Sequence, residues 1–377
     1  MSIFLFTPGP TQVPYNILKK FSRPPIHHRS GEFQYLYQKI SYYLKKVFQT
    51  EGEVAILSAS GTGAMEAAAM NFVSAGDKVI GLDTGKFGRR WIEICRRLDA
   101  QVIPLEIEPG KSVNPTEFKS ILKKHPDTTA VFMTQVESST GALYDIKDLT
   151  EVVKKSTDAL VIVDVICSLA ADEFKQDDWK VDVAVGASQK ALMCPPGLSF
   201  VSLSPQGLKR RLKPKSLYWD LEPYLEAAKT GDAPFTPFIN IFPALSEALM
   251  MISHIELDEV IKRTANLAGA FRQALIVAGL KIFPENPASA LTVIELPDNI
   301  IDADFVKNLK DRSRFRISPG QDSLSGKVVR ISHMGSIGFP ELKRLIPSFF
   351  ATLTELGWTG NPEYVFETFV NEYQSHA

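Results

Sequence analysis

Short runs of valine, isoleucine and leucine alternate with longer amphipathic segments between residues 54 and 163. Short apolar runs are typical of buried strands, whereas apolar positions recurring every three or four residues are typical of helices with one buried face. We predict strands over residues 54–57, 78–82, 101–105, 130–134 and 159–163. Helices are predicted between them, over residues 63–72, 87–98, 115–124 and 146–155. This alternation predicts a mostly parallel sheet covered by helices on both faces.

The pattern changes after residue 240. Two long helices are predicted over residues 244–255 and 257–278, and the second could link two domains. Strand-like runs follow at residues 291–296, 315–317 and 328–331, with helical segments between and after them. We therefore predict an N-terminal arm (residues 1–22), a large α/β domain (23–255) and a smaller C-terminal α+β domain (256–377).

Composition narrows the class of protein. The chain has 377 residues, 45% hydrophobic and 23% charged, with a formal net charge of −1. This balance is typical of a globular protein and shows no basic stripe for nucleic acid or anionic membranes. No apolar run is long enough to cross a bilayer, and the three distant cysteines match no metal site or disulfide framework. We expect a cytoplasmic protein that acts on small molecules and binds no metal.

Lys190 is the strongest candidate for chemistry. It follows the small-residue segment 184–189, and apolar or small residues continue through Gly197. A lysine in these surroundings is expected to be short of water, which favours the neutral amine. A neutral amine can attack an aldehyde and hold it as an imine. We predict that Lys190 carries pyridoxal phosphate (PLP).

Polar groups follow three predicted strands, where ligands of parallel sheets bind. Ser60, Gly61 and Thr62 lie in a small-residue turn before a helix, which suits a phosphate; a plain helix cap is equally consistent. Asp164 ends its strand and could keep a pyridine nitrogen protonated, although a loop aspartate is the simpler alternative. Ser138 could donate to a cofactor or belong to a polar turn.

Two further residues have competing interpretations. Phe87 lies among glycines and could stack on a flat ring, although a core phenylalanine is more common. Arg330 lies within an apolar strand, where it needs an anionic partner. A substrate carboxylate suits its forked guanidinium, and a structural salt bridge is the competing interpretation.

These motifs together resemble the class V aminotransferases of PLP fold type I, in the branch of alanine–glyoxylate and serine–glyoxylate or serine–pyruvate aminotransferases. The resemblance runs nearly end to end. It is carried by Thr7-Pro8-Gly9-Pro10-Thr11, Ser60-Gly61-Thr62-Gly63, Glu137-Ser138-Ser139-Thr140-Gly141, Val163-Asp164, Ser188-Gln189-Lys190-Ala191 with Pro195-Pro196-Gly197, and Lys327-Val328-Val329-Arg330-Ile331. It implies a seven-stranded, mostly parallel sheet between helices, followed by a smaller C-terminal domain.

The resemblance also implies a role for each matching residue. Lys190 would form the internal aldimine and then act as general base and acid, Asp164 would pair with the pyridine nitrogen, and Arg330 would bind the substrate α-carboxylate near the Gly9 backbone. Thr236 would reach the phosphate of the neighbouring subunit, so a homodimer with shared active sites is implied. The other cofactor contacts would come from Ser60, Gly61, Thr62 and Gln189 at the phosphate and from Phe87, Ser138 and Ile166 at the ring.

The resemblance implies transfer of an amino group from alanine or serine to a 2-oxo acid, glyoxylate or pyruvate. An acidic donor, aspartate or phosphoserine, is the alternative, because His28 and Arg29 match a His-Arg pair of phosphoserine aminotransferases. A cysteine desulfurase is disfavoured, since Cys194 is the only cysteine after Lys190 and lies against two prolines. A catalytically inert scaffold is the remaining alternative. Ala233 stands where some relatives have a tyrosine, which puts one phosphate contact in doubt.

Overall fold

The computed structural model describes residues 3–376 of the chain. Its strands are β1 Phe4–Leu5, β2 Glu53–Leu57, β3 Lys78–Asp83, β4 Gln101–Glu106, β5 Ala130–Thr134, β6 Val136–Glu137, β7 Ala142–Leu143, β8 Leu160–Asp164, β9 Val183–Ala187, β10 Ser199–Leu203, β11 Lys281–Ile282, β12 Leu291–Glu295, β13 Phe315–Arg316, β14 Ser318–Pro319 and β15 Val328–Ser332. Its α-helices are α1 Tyr15–Phe21, α2 Gly31–Phe48, α3 Gly61–Phe72, α4 Lys86–Arg97, α5 Pro115–Lys124, α6 Ile146–Ser156, α7 Pro205–Lys209, α8 Glu222–Thr230, α9 Ile241–Ile255, α10 Leu257–Val277, α11 Asp302–Ser313, α12 Phe339–Glu355 and α13 Val365–His376.

The central sheet has seven strands in the order β2-β10-β9-β8-β5-β3-β4. β10 runs antiparallel to both of its neighbours, and the remaining pairs are parallel. In register, Asp164 lies between Thr134 of β5 and Val185 of β9, so it occupies the carboxyl edge of the parallel strands. The predicted α/β fold with a mostly parallel seven-stranded sheet is confirmed.

Helices bury both faces of this sheet. Along β8, Val161 and Val163 belong to one apolar cluster, whereas Leu160 and Ile162 belong to the cluster on the opposite face. Successive strand side chains point to opposite faces, so a strand buried on both sides becomes apolar at every position. This is why the β8 segment has no polar alternation in the sequence.

Two strands of the central sheet, β9 and β10, were not predicted. β9 runs from Val183 to Ala187 and includes the first four residues of the small-residue segment before Lys190. β10 was missed because two serines, Ser199 and Ser202, interrupt its apolar run. These serines are buried within the sheet, so tertiary packing rather than local pattern determines the strand.

The second domain has its own apolar core beneath the antiparallel sheet β11-β12-β15-β14. Helix α10 contacts both cores: Val260 packs on the large-domain core, and Leu267 belongs to the second core. Phe6 from the chain start is also fully buried in the second core, beside the pairing of β1 with β13. The predicted domain limits at residues 22 and 255 stay predictions.

The N-terminal arm therefore contacts both the second apolar core and the segment that follows β9. Ser332 N–H donates to the Phe6 carbonyl at 2.8 Å, and the Ser336 hydroxyl donates to the Gln12 carbonyl at 3.1 Å. On the other side, Thr11 N–H donates to the carbonyl of Gln189 at 3.0 Å. Among residues 3–376, no helix is long and apolar enough to span a membrane.

Gly231 gives a test of the packing between α8 and α2. It ends α8 with φ +79°, and a Cβ atom there would lie 2.3 Å from the Gln34 carbonyl oxygen. Gly231→Ala is expected to lower the free energy of unfolding by more than the ~1–2 kcal/mol that a left-handed conformation costs a residue with a side chain. The additional cost arises because the backbone at Gln34 must also move. Thermal unfolding measures the effect.

Gly279→Ala is the matched control for this substitution. Gly279 has φ +81°, but nothing lies within 4 Å of an added Cβ atom. It should therefore show only the conformational cost. Equal decreases in Tm for the two variants would contradict the predicted steric contact with Gln34.

Candidate active site

A cavity of about 290 Å³ opens at the carboxyl edge of the central sheet. It lies beside the ends of β8 and β9, where ligands of parallel sheets bind. Its lining residues are Gly9, Pro10, Ser60, Gly61, Thr62, Phe87, Arg90, Val136, Ser138, Asp164, Ile166, Cys167, Gln189, Lys190 and Pro196. All of the residues that we predicted for the site lie in this lining except Thr236 and Arg330.

Lys190 contacts the N-terminal arm. Its Nζ donates a hydrogen bond to the Pro8 carbonyl at 2.5 Å, and the Thr11 hydroxyl donates to the Lys190 carbonyl at 2.9 Å. Gly9 lies so close that a Cβ atom there would be 2.5 Å from Lys190 Nζ. Two features favour glycine at this position: the close approach of Lys190, and a φ of +151° that residues with a side chain rarely adopt.

The shielding of Lys190 differs from our expectation. The apolar residues that follow it, such as Leu192 and Cys194, are buried in the large-domain core. Lys190 itself is only half-buried, and the arm supplies its nearest polar contact. The residues next to Lys190 in sequence therefore do not shield its amine from water. After β9 the chain turns so that these residues pack into the core, whereas Lys190 faces the cavity.

Asp164 is buried at the end of β8, with its side chain 4% exposed. Its Oδ1 accepts a hydrogen bond from Ile166 N–H at 2.7 Å. Burial raises the pKa of Asp164 to about 7, and the nearby Glu137 carboxylate adds to this, while the Ile166 bond and the charges of Lys190 and Arg90 oppose it. A cation placed beside this carboxyl would be strongly favoured.

The turn before α3 supplies hydroxyl groups to the cavity. Ser60 is exposed and precedes the first helical residue, Gly61, and its side chain makes no capping hydrogen bond. The Thr62 hydroxyl accepts a hydrogen bond from Arg90 Nη1 at 3.0 Å. Hydroxyl groups with donor capacity to spare, beside a helix N-terminus, form a suitable site for an anion.

A buried carboxylate holds Phe87 in position. Glu137 is fully buried, and one of its oxygens accepts hydrogen bonds from the Phe87 and Gly88 N–H groups at 2.8 and 3.1 Å. The other oxygen accepts from the Ser139 N–H and hydroxyl groups at 3.1 and 2.6 Å. The carboxylate thus satisfies two N–H groups in the first turn of α4, a placement that the helix dipole favours.

Arg330 lies behind the cavity wall. It is 6% exposed, and its Nη1 donates to the Ser138 carbonyl at 2.8 Å while its Nε donates to the Pro319 carbonyl at 2.9 Å. Burial lowers the pKa of its guanidinium, but an arginine still keeps its proton at ordinary pH. Within residues 3–376, no carboxylate lies within ion-pair distance of it, so the structural salt bridge considered as an alternative does not form.

Thr236 is exposed and lies outside this cavity. Its hydroxyl is 3.5 Å from Nε2 of His28. Arg29 next to it forms an ion pair with Asp232 at 2.5 Å and donates to the Ala233 carbonyl at 2.7 Å. His28 and Arg29 therefore form a cluster with the segment 232–236, away from Lys190 of the same chain.

Sequence reasoning missed two polar residues of the lining, Arg90 and Cys167. Arg90 lies one helical turn after Phe87, a spacing that places both on one face of α4 and could have indicated it. Cys167 follows Asp164 by three residues, and burial raises the pKa of its thiol to about 11. Glu137 was noted only as part of a motif, although its carboxylate organises the wall that carries Phe87.

The chemistry of these groups fits PLP. The amine of Lys190 matches its aldehyde, and the carboxyl of Asp164 matches its pyridine nitrogen. The hydroxyl groups at the start of α3 match its phosphate, and the Phe87 side chain supplies an aromatic ring. The described residues contain no cluster of His, Cys, Asp and Glu that could hold a metal ion.

Comparison with known proteins identifies the family. The family described as "Aminotransferase class-V" matches residues 3–337. The small subunit of a soluble hydrogenase from Synechococcus sp. is 37% identical over 361 residues, with 94% of each chain covered. A serine–glyoxylate aminotransferase of Methylorubrum extorquens is 33% identical over 351 residues, covering 88% of this chain and 86% of its own.

A solved structure extends the similarity to three dimensions. The aspartate aminotransferase of Thermus thermophilus superposes with a TM-score of 0.89 at 33% identity, covering 94% of this chain and 99% of that one. The fold is that of the PLP enzymes of fold type I, as the resemblance implied. Since the family match covers most of the chain and agrees with the groups around the cavity, the chain belongs to the class-V aminotransferases and is a PLP-dependent transaminase.

Proposed function

We propose that the enzyme transfers the amino group of a small amino acid, alanine or serine, to a 2-oxo acid such as glyoxylate or pyruvate. One observation carries the proposal: the amine of Lys190 and the carboxyl of Asp164 face a single cavity of only about 290 Å³. Ligand cavities usually measure about 300–1,000 Å³, so little space remains for a substrate side chain once the cofactor is bound.

Bound PLP supplies an electron sink that stabilises negative charge developing at the substrate Cα. Lys190 would hold the cofactor through its amine and would then serve as the base and acid that moves the substrate Cα proton. Asp164 would pair with the pyridine nitrogen and keep it protonated. The contact between Lys190 Nζ and the Pro8 carbonyl holds the amine beside the arm, in the lining of the cavity.

Arg330 binds the α-carboxylate of the substrate in this proposal. Its guanidinium is buried and charged, and its Nε and Nη1 bonds go to neutral carbonyl groups. A buried cation without a carboxylate partner is costly, and an incoming carboxylate would offset that cost. Ser138 separates Arg330 from the cavity at present, so the proposal requires the loop after β5 or the arginine side chain to adjust on binding.

The active unit is proposed to be a homodimer that shares its sites. Thr236 lies outside the cavity of its own chain and is exposed, as a residue serving the partner's phosphate would be. Phe238 nearby is 43% exposed and Leu217 is 77% exposed, and a second subunit could cover both. The cytoplasmic location also remains a proposal, consistent with three unpaired buried cysteines.

An acidic donor is the second candidate, because the solved relative from Thermus thermophilus is an aspartate aminotransferase. Arg29 would have to bind the second acidic group. Its ion pair with Asp232 opposes this role, since that contact would have to break first. Measuring KM for alanine, serine, aspartate and phosphoserine decides between the candidates, and a lower KM for either acidic donor would overturn the small-donor proposal.

Lys190→Ala is expected to abolish covalent attachment of PLP and to lower transaminase activity by several orders of magnitude, because no other amine faces the cavity among its lining residues. Borohydride reduction followed by peptide mapping should locate PLP on Lys190 in the wild-type enzyme. Lys229→Ala, on the exposed side of α8, is the control and should retain the modification. An unmodified Lys190 in active wild-type enzyme would contradict the assignment.

Asp164→Asn is expected to change how the stability of PLP-free enzyme depends on pH. Because burial raises the pKa of Asp164 to about 7 from the ordinary 3.8, the folded state holds a proton that the unfolded state loses. This contribution to stability is fully present below pH ~4 and is lost as the pH rises through ~7. The asparagine variant, neutral at every pH, should therefore gain Tm over wild type more at pH 8 than at pH 5.

Asp178→Asn is the control for this pH dependence, because Asp178 is exposed in a turn. Its effect on Tm should be nearly equal at the two pH values. A Tm difference between Asp164→Asn and wild type that does not change with pH would contradict a buried, protonated Asp164. In the holoenzyme, Asp164→Asn should lower kcat on the order of 100-fold, which is the usual scale for losing one electrostatic partner.

Arg330→Lys is expected to raise KM for every amino donor about 10–100-fold, corresponding to ~1.5–3 kcal/mol for bonds to a charged group, while PLP stays bound. Lysine keeps the charge but cannot form a forked contact with a carboxylate. Arg316→Lys is the control, because the Arg316 side chain is exposed in β13. Unchanged KM values in Arg330→Lys would remove this residue from the substrate site.

A further inference from the structure

Arg90 is the one cationic side chain besides Lys190 in the described lining of the cavity. It lies on the first turns of α4 and is half-buried, and the Glu137 carboxylate caps the start of that helix. The position of its backbone is thus fixed by the same contact that fixes Phe87. No role for it follows from the motifs that identify the family.

The guanidinium group of Arg90 has two defined contacts. Its Cζ lies 4.8 Å from the centroid of the Phe87 ring, a distance at which a cation and an aromatic face attract. Its Nη1 donates a hydrogen bond of 3.0 Å to the Thr62 hydroxyl. Arg90 therefore connects the wall formed by α4 to the first turn of α3.

The direction of the bond to Thr62 restricts where the threonine proton can point. A hydroxyl carries one donor and two acceptor positions, whereas a guanidinium only donates. Since Arg90 occupies an acceptor position of Thr62, the hydroxyl proton must be directed to another group. A phosphate offers acceptors only, so Arg90 leaves Thr62 oriented as a donor towards it.

Arg90 also contributes positive charge to the cavity. Its field acts on Asp164, although burial remains the main influence on that carboxyl. A positive charge next to the hydroxyls of Ser60 and Thr62 favours a dianionic group at this end of the cavity. Arg89, the preceding residue, is directed differently: it is exposed and paired with Asp83.

We propose that Arg90 is a positioning residue for the cofactor phosphate: held against Phe87, it orients the Thr62 hydroxyl as a donor and adds positive charge beside it. This inference rests on the proposed binding of the phosphate at residues 60–62 and deepens it. It also assigns Phe87 a second task, since the ring that faces the cofactor also holds the guanidinium in place.

The test compares the dissociation constants of PLP and of pyridoxal, which lacks the phosphate, for the PLP-free enzyme. Arg90→Met keeps the length of the side chain but removes its charge and donors, so PLP should bind about 10–100-fold more weakly. Pyridoxal binding should change less than about threefold, because the aldehyde and ring contacts remain. Arg89→Met is the matched control and should leave both constants unchanged.

A double-mutant cycle with Thr62→Val shows whether Arg90 acts through the hydroxyl. The double variant should bind PLP no more than about threefold more weakly than the poorer single variant. Arg90→Lys, which keeps charge without the planar fork, should fall between wild type and Arg90→Met. It also serves as the second variant if Arg90→Met does not fold.

Three results for Arg90→Met, or for Arg90→Lys in its place, would overturn the inference. The variant could weaken the binding of PLP and of pyridoxal equally, or its dissociation constants could equal those of Arg89→Met. In the double-mutant cycle, its effect on PLP binding and that of Thr62→Val could be fully additive in free energy. Failure of the proposed phosphate site looks different. In that case Thr62→Val leaves the PLP dissociation constant unchanged, whatever Arg90→Met does.

Discussion

The burial of Asp164 at the carboxyl edge of the sheet is the constraint on which the site depends. β8 is covered on both faces, so its last residue lies where water cannot solvate a carboxylate. Desolvation raises the pKa of this carboxyl to about 7, which makes it a weak acid near neutrality. A cation beside this carboxyl would favour its ionised form, and a protonated pyridine nitrogen would be such a cation in the proposed function.

The opposite side of the site depends on the N-terminal arm. Pro8 and Thr11 contact Lys190 and its backbone, while Phe6 is buried in the second apolar core. A movement of the second domain would therefore be transmitted to Lys190 through a few residues of extended chain. A displacement of about 1 Å at a reacting group can cost on the order of 100-fold in rate, so the position of the arm would matter for the proposed function of Lys190.

The buried charged groups near the cavity, Glu137 and Arg330, differ in how their hydrogen bonds stabilise the charge. Glu137 is buried but receives four hydrogen bonds, which stabilise its charge and fix the start of α4. Arg330 is buried with bonds to two neutral carbonyls, so part of its capacity to stabilise an anion remains available. The first arrangement is typical of a structural group and the second of a group that awaits a ligand. Arg90 combines both, since it holds Thr62 and faces the cavity.

The sequence by itself determined the alternation of strands and helices, the parallel sheet and the family, because apolar period and short motifs are local properties of the chain. It also predicted Lys190 and Asp164 as site residues, and both line the same cavity. Only the tertiary structure decided what surrounds them. The arm at Lys190, Arg90 beside Thr62 and the neutral partners of Arg330 are contacts between segments distant in sequence or set by side-chain direction. Local pattern carries no information on such contacts, and β10 was missed for the same reason: its pairing with β2 and β9, rather than its own alternation, makes it a strand.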